Sequence, residues 1–230
     1  MDTLFHAIEQ KFQLAGYASN RWYVLAITTL TASPHPDQAH QLYQYLINKP
    51  ENASPESRKA IVRRLREALV KSTSIIGVCK PIDSILAIAK VEREEDRDYT
   101  STRETWQNND ANHQRAMDWY AKLYARNAHD TLGLFDAHKD FAWISTEITY
   151  GLYLSDRAVL DDLDTQLVVL PGIMIQNLPL ETHWHIRGTR RLGESKERVK
   201  VIWECVQLVA EFHGIKLDRV PGVEEVEYDV

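Results

Sequence analysis

An all-α bundle is the fold that this sequence predicts, and three observations predict it. Apolar residues recur at helical spacing along most of the 230 residues. No run alternates with the period of two that a half-buried strand needs, and no Asn-Gly or Asp-Gly pair marks a hairpin. A hydrophobic share of 44% with 26% charged residues is ordinary for a globular chain, and this length is enough to bury a substantial core.

The elements follow in order. "DTLFHAIEQKFQLAGY" places Leu4, Phe5, Ile8, Phe12 and Leu14 roughly on one face. "SPESRKAIVRRLREALVKSTSIIGV" opens with Ser54 as N-cap and Pro55 at the first helical position, and it stops near Gly77. Its basic residues are separated by the helical period from Ile61, Val62 and Leu65, so they read as a solvated face. Pro81 opens the next helix, "PIDSILAIAKVE". Residues 92–110, "EREEDRDYTSTRETWQNND", are polar and nearly without aliphatics. They read as a solvated connection, anchored by Tyr99 and Trp106, that passes into a helix around Asn112 to Asn127. "ESKERVKVIWECVQLVAEFHG" runs from a Ser195 cap to a Gly214 stop.

The predicted organisation is one domain over residues 1–230. It has an N-terminal half (1–91), the polar connection (92–110) and a C-terminal half (111–230). "EALVKSTSIIG" and "ECVQLVAEFHG" each carry a glutamate ten residues before a terminal glycine, with a Ser-x-Glu start upstream. That likeness points to two pseudo-repeats.

Several functions are excluded as expectations. The formal charge is −6 and no long basic tract is present, so nucleic acid is not an expected partner. The longest apolar runs, such as "LVVLPGIMI", are too short to cross a membrane. The start "MDTLFHAIEQKF" is acidic and amphipathic, unlike a signal peptide. Cys79 and Cys205 are far apart and outside any CxxC, which fits a reducing compartment, most simply the cytosol.

The chemistry concentrates in "LETHWHIRGTRRLG", Leu180 to Gly193. On a helix, His183 and His185 point about 200° apart and cannot chelate one ion from one face. No HExxH or His/Cys cluster supplies the missing ligands, so no metal is expected. Glu181 and His185 are four apart and share a face. A glutamate one turn before a histidine can hold the imidazole in one tautomer and raise its pKa, or the two can form a surface pair with no function. Trp184 and Trp203 flank the motif, and Tyr150 lies upstream in "TYGLYLS"; each is either a cavity wall or core packing. Arg187, Arg190 and Arg191 fall on one helix and read as a solvated face or subunit contact, with carboxylate binding as the other use. His138 and His213 are lone histidines and read as structural or surface residues.

The stretch "HIRGTRRLGESKERVKVIWECVQLVAEFHGI" resembles the carboxymuconolactone decarboxylase and alkylhydroperoxidase D-like family. His185, Gly188, Gly193, "SKE" and "FHG" carry the likeness, and "YGLYLSDRAVLDDLDTQLVVLPGIMIQ" is similar to the upstream part of the same module. The likeness covers about Tyr150 to Ile215 and extends loosely to the first half, as in longer, duplicated fungal members. It implies an alkylhydroperoxidase D-like bundle, a homo-oligomer, a small-molecule substrate and no cofactor. The redox branch carries a CxxC before its histidine, but Leu178 and Glu181 stand there, so thiol peroxidase chemistry is not implied. The family's upstream acid falls near Thr165 or Gln166, neither of which titrates.

The function expected is therefore a cofactor-independent lyase or isomerase acting on a small cyclic or aromatic carbonyl or carboxylate compound. His185 would be the general acid/base, Glu181 its orienting partner and Gln166 a hydrogen-bond donor to the substrate, with Trp184, Tyr150 and Trp203 lining the pocket. The alternative is a non-catalytic relative that serves as an assembly or ligand-binding scaffold. Family analogy also allows a peroxisomal location, although "EYDV" is not a Ser-Lys-Leu signal.

Overall fold

The computed structural model describes all 230 residues, and it contains helices and no strands. The α-helices are α1 (Asp2–Leu14), α2 (Trp22–Ala32), α3 (Ala39–Ile47), α4 (Pro55–Ile76), α5 (Cys79–Val91), α6 (Asp110–Tyr124), α7 (Ala128–Gly133), α8 (Lys139–Trp143), α9 (Asp162–Met174), α10 (Pro179–Arg191), α11 (Lys196–Phe212) and α12 (Val223–Val226). Between α8 and α9 the chain forms a π-helix, Ile144–Tyr153.

The centre of the molecule is α2. All eleven of its residues are buried, and α1, α3, α4, α9 and α11 pack around it. A helix apolar on every side has to be enclosed on every side. Its three threonines add no unpaired hydroxyl to the core. Thr28, Thr29 and Thr31 each bond a carbonyl four residues back, at 2.7–3.0 Å. The large core of 40 buried residues draws on both the first and the last third of the chain. A smaller cluster of nine gathers α6, the π-helix and one face of α9, including Tyr120, Tyr124 and Tyr150.

The termini of α4 and α11 match their sequence signals. Ser54 and Ser195 accept the backbone N–H of Ser57 and Arg198, each at 3.2 Å. Gly77 and Gly214 end their chains of helix at φ of 93° and 67°. The two helices differ in length and setting. α4 has 22 residues against α2, α5 and α9, whereas α11 has 17 residues against α1, α2 and α9.

One expectation is corrected. The basic residues of α4 do not form a free solvated face. Arg58 is buried and donates to Asp96 at 2.8 Å, Arg63 pairs with Asp98, and Arg64 reaches Asp164 at 3.0 Å. Residues 92–110 are mostly exposed, but Asp96 within them is fully buried and also accepts from Tyr43 at 3.0 Å. Trp106 anchors the segment beneath the guanidinium of Arg115, 4.3 Å from its ring centre, but Tyr99 is exposed.

Candidate functional site

The sequence of α9 and α10 brings their polar residues together at one crossing. Asp161 caps α9 by accepting the Asp164 N–H at 2.7 Å, and Asp164 accepts the Asp161 N–H in return. From Leu163 to Met174 every side chain of α9 is buried, so Thr165 and Gln166 are carried into the core with the leucines and valines. α10 starts on Pro179 and packs against α9 and α6. Gly188 makes that approach possible: a Cβ there would lie 3.2 Å from Leu123 Cδ2 and 3.4 Å from Gln166 Nε2.

His185 lies at the crossing with 5% of its surface exposed. Its Nδ1 is 3.2 Å from Gln166 Oε1. The amide's orientation fixes the tautomer. Gln166 Nε2 donates to the Thr189 hydroxyl at 3.0 Å and to the His185 carbonyl at 3.3 Å, and the carbonyl can only accept. Oε1 therefore faces the ring, and Nδ1 must carry the proton. Nε2 is left with its lone pair and makes no hydrogen bond within the chain. The Thr189 hydroxyl completes the network by donating to the His185 carbonyl at 2.7 Å. Burial, with a smaller contribution from the Arg187 charge, pulls the imidazole down to about 3, so the ring is neutral at physiological pH.

Of the six site residues expected from sequence, His185 and Gln166 are in contact, and Trp184 and Tyr150 stand nearby. Tyr124 joins them: its ring centre is 6.3 Å from His185, 6.2 Å from Trp184 and 6.1 Å from Tyr150. The phenols of Tyr124 and Tyr150 are 2.8 Å apart, and burial pushes Tyr124 up to about 12. Neither phenol is an acid at neutral pH.

The other roles need correction. Glu181 makes no hydrogen bond or ion pair with His185; the ring turns inward to α9, and the glutamate remains half-buried at the helix edge. Gln166 orients the imidazole in its place, and its amide protons are taken by Thr189 and His185, so it is no free donor. Trp203 packs against the large core, with its indole N–H donated to the Pro221 carbonyl at 3.1 Å. His183 faces away from His185, as its position on the helix required, and its Nε2 lies 3.1 Å from Asp229 Oδ2. Cys205 is fully buried, and burial pushes its thiol up to about 12.

The arginines of α10 are held by partners within the chain rather than spread over a solvated face. They hold the segment that follows α12. Arg187 pairs with the Asp229 carboxylate, Arg190 pairs with Glu227 at 2.5 Å, and Arg191 donates to the Asp229 carbonyl at 3.0 Å. Arg126 joins from the turn after α6, donating to the same carbonyl at 3.0 Å. Sequence reading missed Tyr124, Thr189 and Asp229 as parts of this region. Tyr120 and Tyr124, spaced i and i+4 in "DWYAKLYA", were the only local sign of an aromatic face.

No protein-family model matches the chain, and no solved structure matches it. The chain is similar to a protein of Schizosaccharomyces pombe named Peroxisomal protein 2, with 23% identity over 187 residues that cover 77% of this chain and 79% of that protein.

Proposed function

We propose that the α9–α10 crossing is the acid–base site of a cofactor-independent lyase or isomerase, and that the chain is a divergent relative of the carboxymuconolactone decarboxylase and alkylhydroperoxidase D-like family. One observation carries the reading. A buried imidazole is held in a single neutral tautomer, and its bare Nε2 is unspent within the chain. A base at neutral pH needs a lone pair that is not already committed to a partner, and this ring has one.

The chemistry uses one proton and one ring. Nε2 removes a proton from a carbon next to a carbonyl, and the C–H electron pair moves into an enolate. Return of the proton to a different carbon gives the isomer. In a decarboxylation the C–C electrons left by departing carbon dioxide form the enolate, and a proton relayed from water through the ring quenches it. The imidazolium formed on the way is stabilised by Gln166 Oε1, which accepts from Nδ1–H throughout. Tyr124, Tyr150 and Trp184 supply the apolar surroundings that keep water away from the enolate.

A second reading has its own support. His185 is nearly enclosed and Leu123 lies against Gly188, which is what a dry scaffold would show. The name of the fission-yeast relative favours a peroxisomal setting over a cytosolic one. The family likeness implies self-association, and the exposed Leu134, Phe141, Trp143 and Ile144 give it an apolar surface to use.

The experiment is deuterium incorporation, read by NMR, from D₂O into a panel of cyclic ketones and keto acids. We expect His185→Gln to lower exchange by about 10²-fold or more, as for a general acid or base. Gln166→Leu removes the acceptor for Nδ1–H and should fall between that variant and the wild type. His183→Gln should cost little. Equal small effects at 183 and 185, in folded variants, would move the assignment to the scaffold reading.

A further inference from the structure

Arg187 is 3% exposed, and only one edge of its guanidinium is used. Nη1 pairs with Asp229 Oδ2. Nε and Nη2, both enclosed, have no hydrogen-bond partner. These two N–H groups share one edge of the planar group, and that edge is the fork that matches a carboxylate bidentately. Buried donors are almost always satisfied, so an enclosed and empty fork indicates an absent acceptor.

The charges around it are unbalanced in the same sense. Arg126, Arg187 and Arg191 all converge on Asp229, while Arg190 is taken by Glu227. Two guanidiniums, those of Arg126 and Arg187, thus share one carboxylate, which also lies 3.1 Å from His183 Nε2, while Arg191 reaches the backbone carbonyl of the same residue. Burial first, and then the Arg187 and Arg126 charges, lower the pKa of Arg191. A second anion would relieve this. Aromatic rings stand close along the chain: Trp184 is one helical turn before Arg187 on α10, and its ring centre is 6.2 Å from that of Tyr124.

We propose that the Nε–Nη2 edge of Arg187 binds the carboxylate of a small molecule with a flat apolar body, and that Asp229 occupies the outer edge of the same guanidinium as an internal competitor. The functional meaning of the site rests on the acid–base reading of His185, since the fork would anchor a substrate's carboxylate beside that ring. Binding itself does not depend on it. The segment over the site is suited to lifting. It is a single 3-10 turn, Glu227–Asp229, after the four-residue α12. Polar contacts to Arg126, Arg187, Arg190 and Arg191 hold it, water can replace most of them, and Tyr228 at its middle is exposed.

The test is calorimetric titration with benzoate, with benzamide as the neutral isostere. Asp229→Asn removes the competing charge and leaves Arg187 untouched; we expect it to bind benzoate at least tenfold more tightly than wild type, and benzamide not at all. Arg187→Gln, checked as folded by circular dichroism, should lose benzoate binding. If Asp229→Asn binds benzoate no better than wild type, or binds benzamide equally, the proposal is overturned whether or not Arg187→Gln folds. If benzoate binding behaves as expected while His185→Gln leaves proton exchange unchanged, the acid–base reading fails alone.

Discussion

His185 ties the stability of the molecule to pH. In the unfolded chain its ring takes up a proton near 6.5, but in the fold burial holds that event down to about 3. Between these values the unfolded state binds more protons, so this residue makes stability rise with pH across the window and fall as acid is added. Gln cannot titrate. We expect the loss of unfolding free energy between pH 6.5 and pH 4.5, measured by urea denaturation, to be smaller by about 2 kcal/mol in His185→Gln than in wild type. An identical loss in the two proteins would mean that the ring is solvated. The sequence singled out this residue through its spacing to Gly188 and Gly193. Its partner was not. Glu181 is the neighbour along the helix, but Gln166 is the neighbour across the crossing, and helical spacing carries no information about what another helix presents.

At the scale of the element, the π-helix is the least expected feature. Its wider turn is seen in the bond from Leu154 N to the Thr149 carbonyl, five residues back, at 2.9 Å. Basic side chains satisfy the carbonyls at its end. Lys71 donates to Leu154 and Asp156 at 3.1 and 2.8 Å, and Arg103 donates to Leu152 and Tyr153, each at 3.2 Å. Gly151 lets the π-helix close on α6, where Asn112 donates to the Glu147 carbonyl at 2.9 Å. A Cβ at 151 would stand 2.9 Å from Asn112 Cγ. Gly151→Ala should therefore destabilise the protein by about 1–3 kcal/mol, the usual cost of overpacking, with a lowered thermal midpoint as the readout. An unchanged midpoint would mean that α6 and the π-helix are not in contact as described. No residue pattern announces a π-helix, because the same side chains suit an α-helix. For the opposite reason α2 was not picked out: buried on all sides, it shows no amphipathic period, and its threonines and valine weaken a helical reading. By contrast α4 and α11 were legible at both ends, since a serine cap and a glycine at or just past the last turn are local signals.

At the scale of the molecule, the all-α class followed from periodicity, but the way the halves join did not. The sequence divided the chain at residues 92–110, whereas the fold runs α9 and α11 into the packing around α2 and pins the intervening segment with buried Asp96. Ion pairs such as Arg58–Asp96 link residues 38 apart, and Arg187–Asp229 links residues 42 apart, beyond the reach of any local pattern. The surface left over carries Phe141 and Trp143, 64% and 51% exposed. If they serve self-association, light scattering should give a mass above that of one chain for the wild type and a smaller species for Phe141→Glu with Trp143→Glu. A wild-type monomer would leave the patch without that role.

All three scales meet in the state of one ring. The whole fold keeps water from His185, the α9–α10 crossing supplies Gln166, and the residue contributes a bare Nε2. The most direct measurement is ¹⁵N NMR of the histidine side chains, with His185 assigned by His185→Gln, between pH 8 and pH 4. The predicted result is a neutral ring throughout, protonated on Nδ1 and bare on Nε2. A ring that titrates near 6.5, or one that carries its proton on Nε2, would contradict the account.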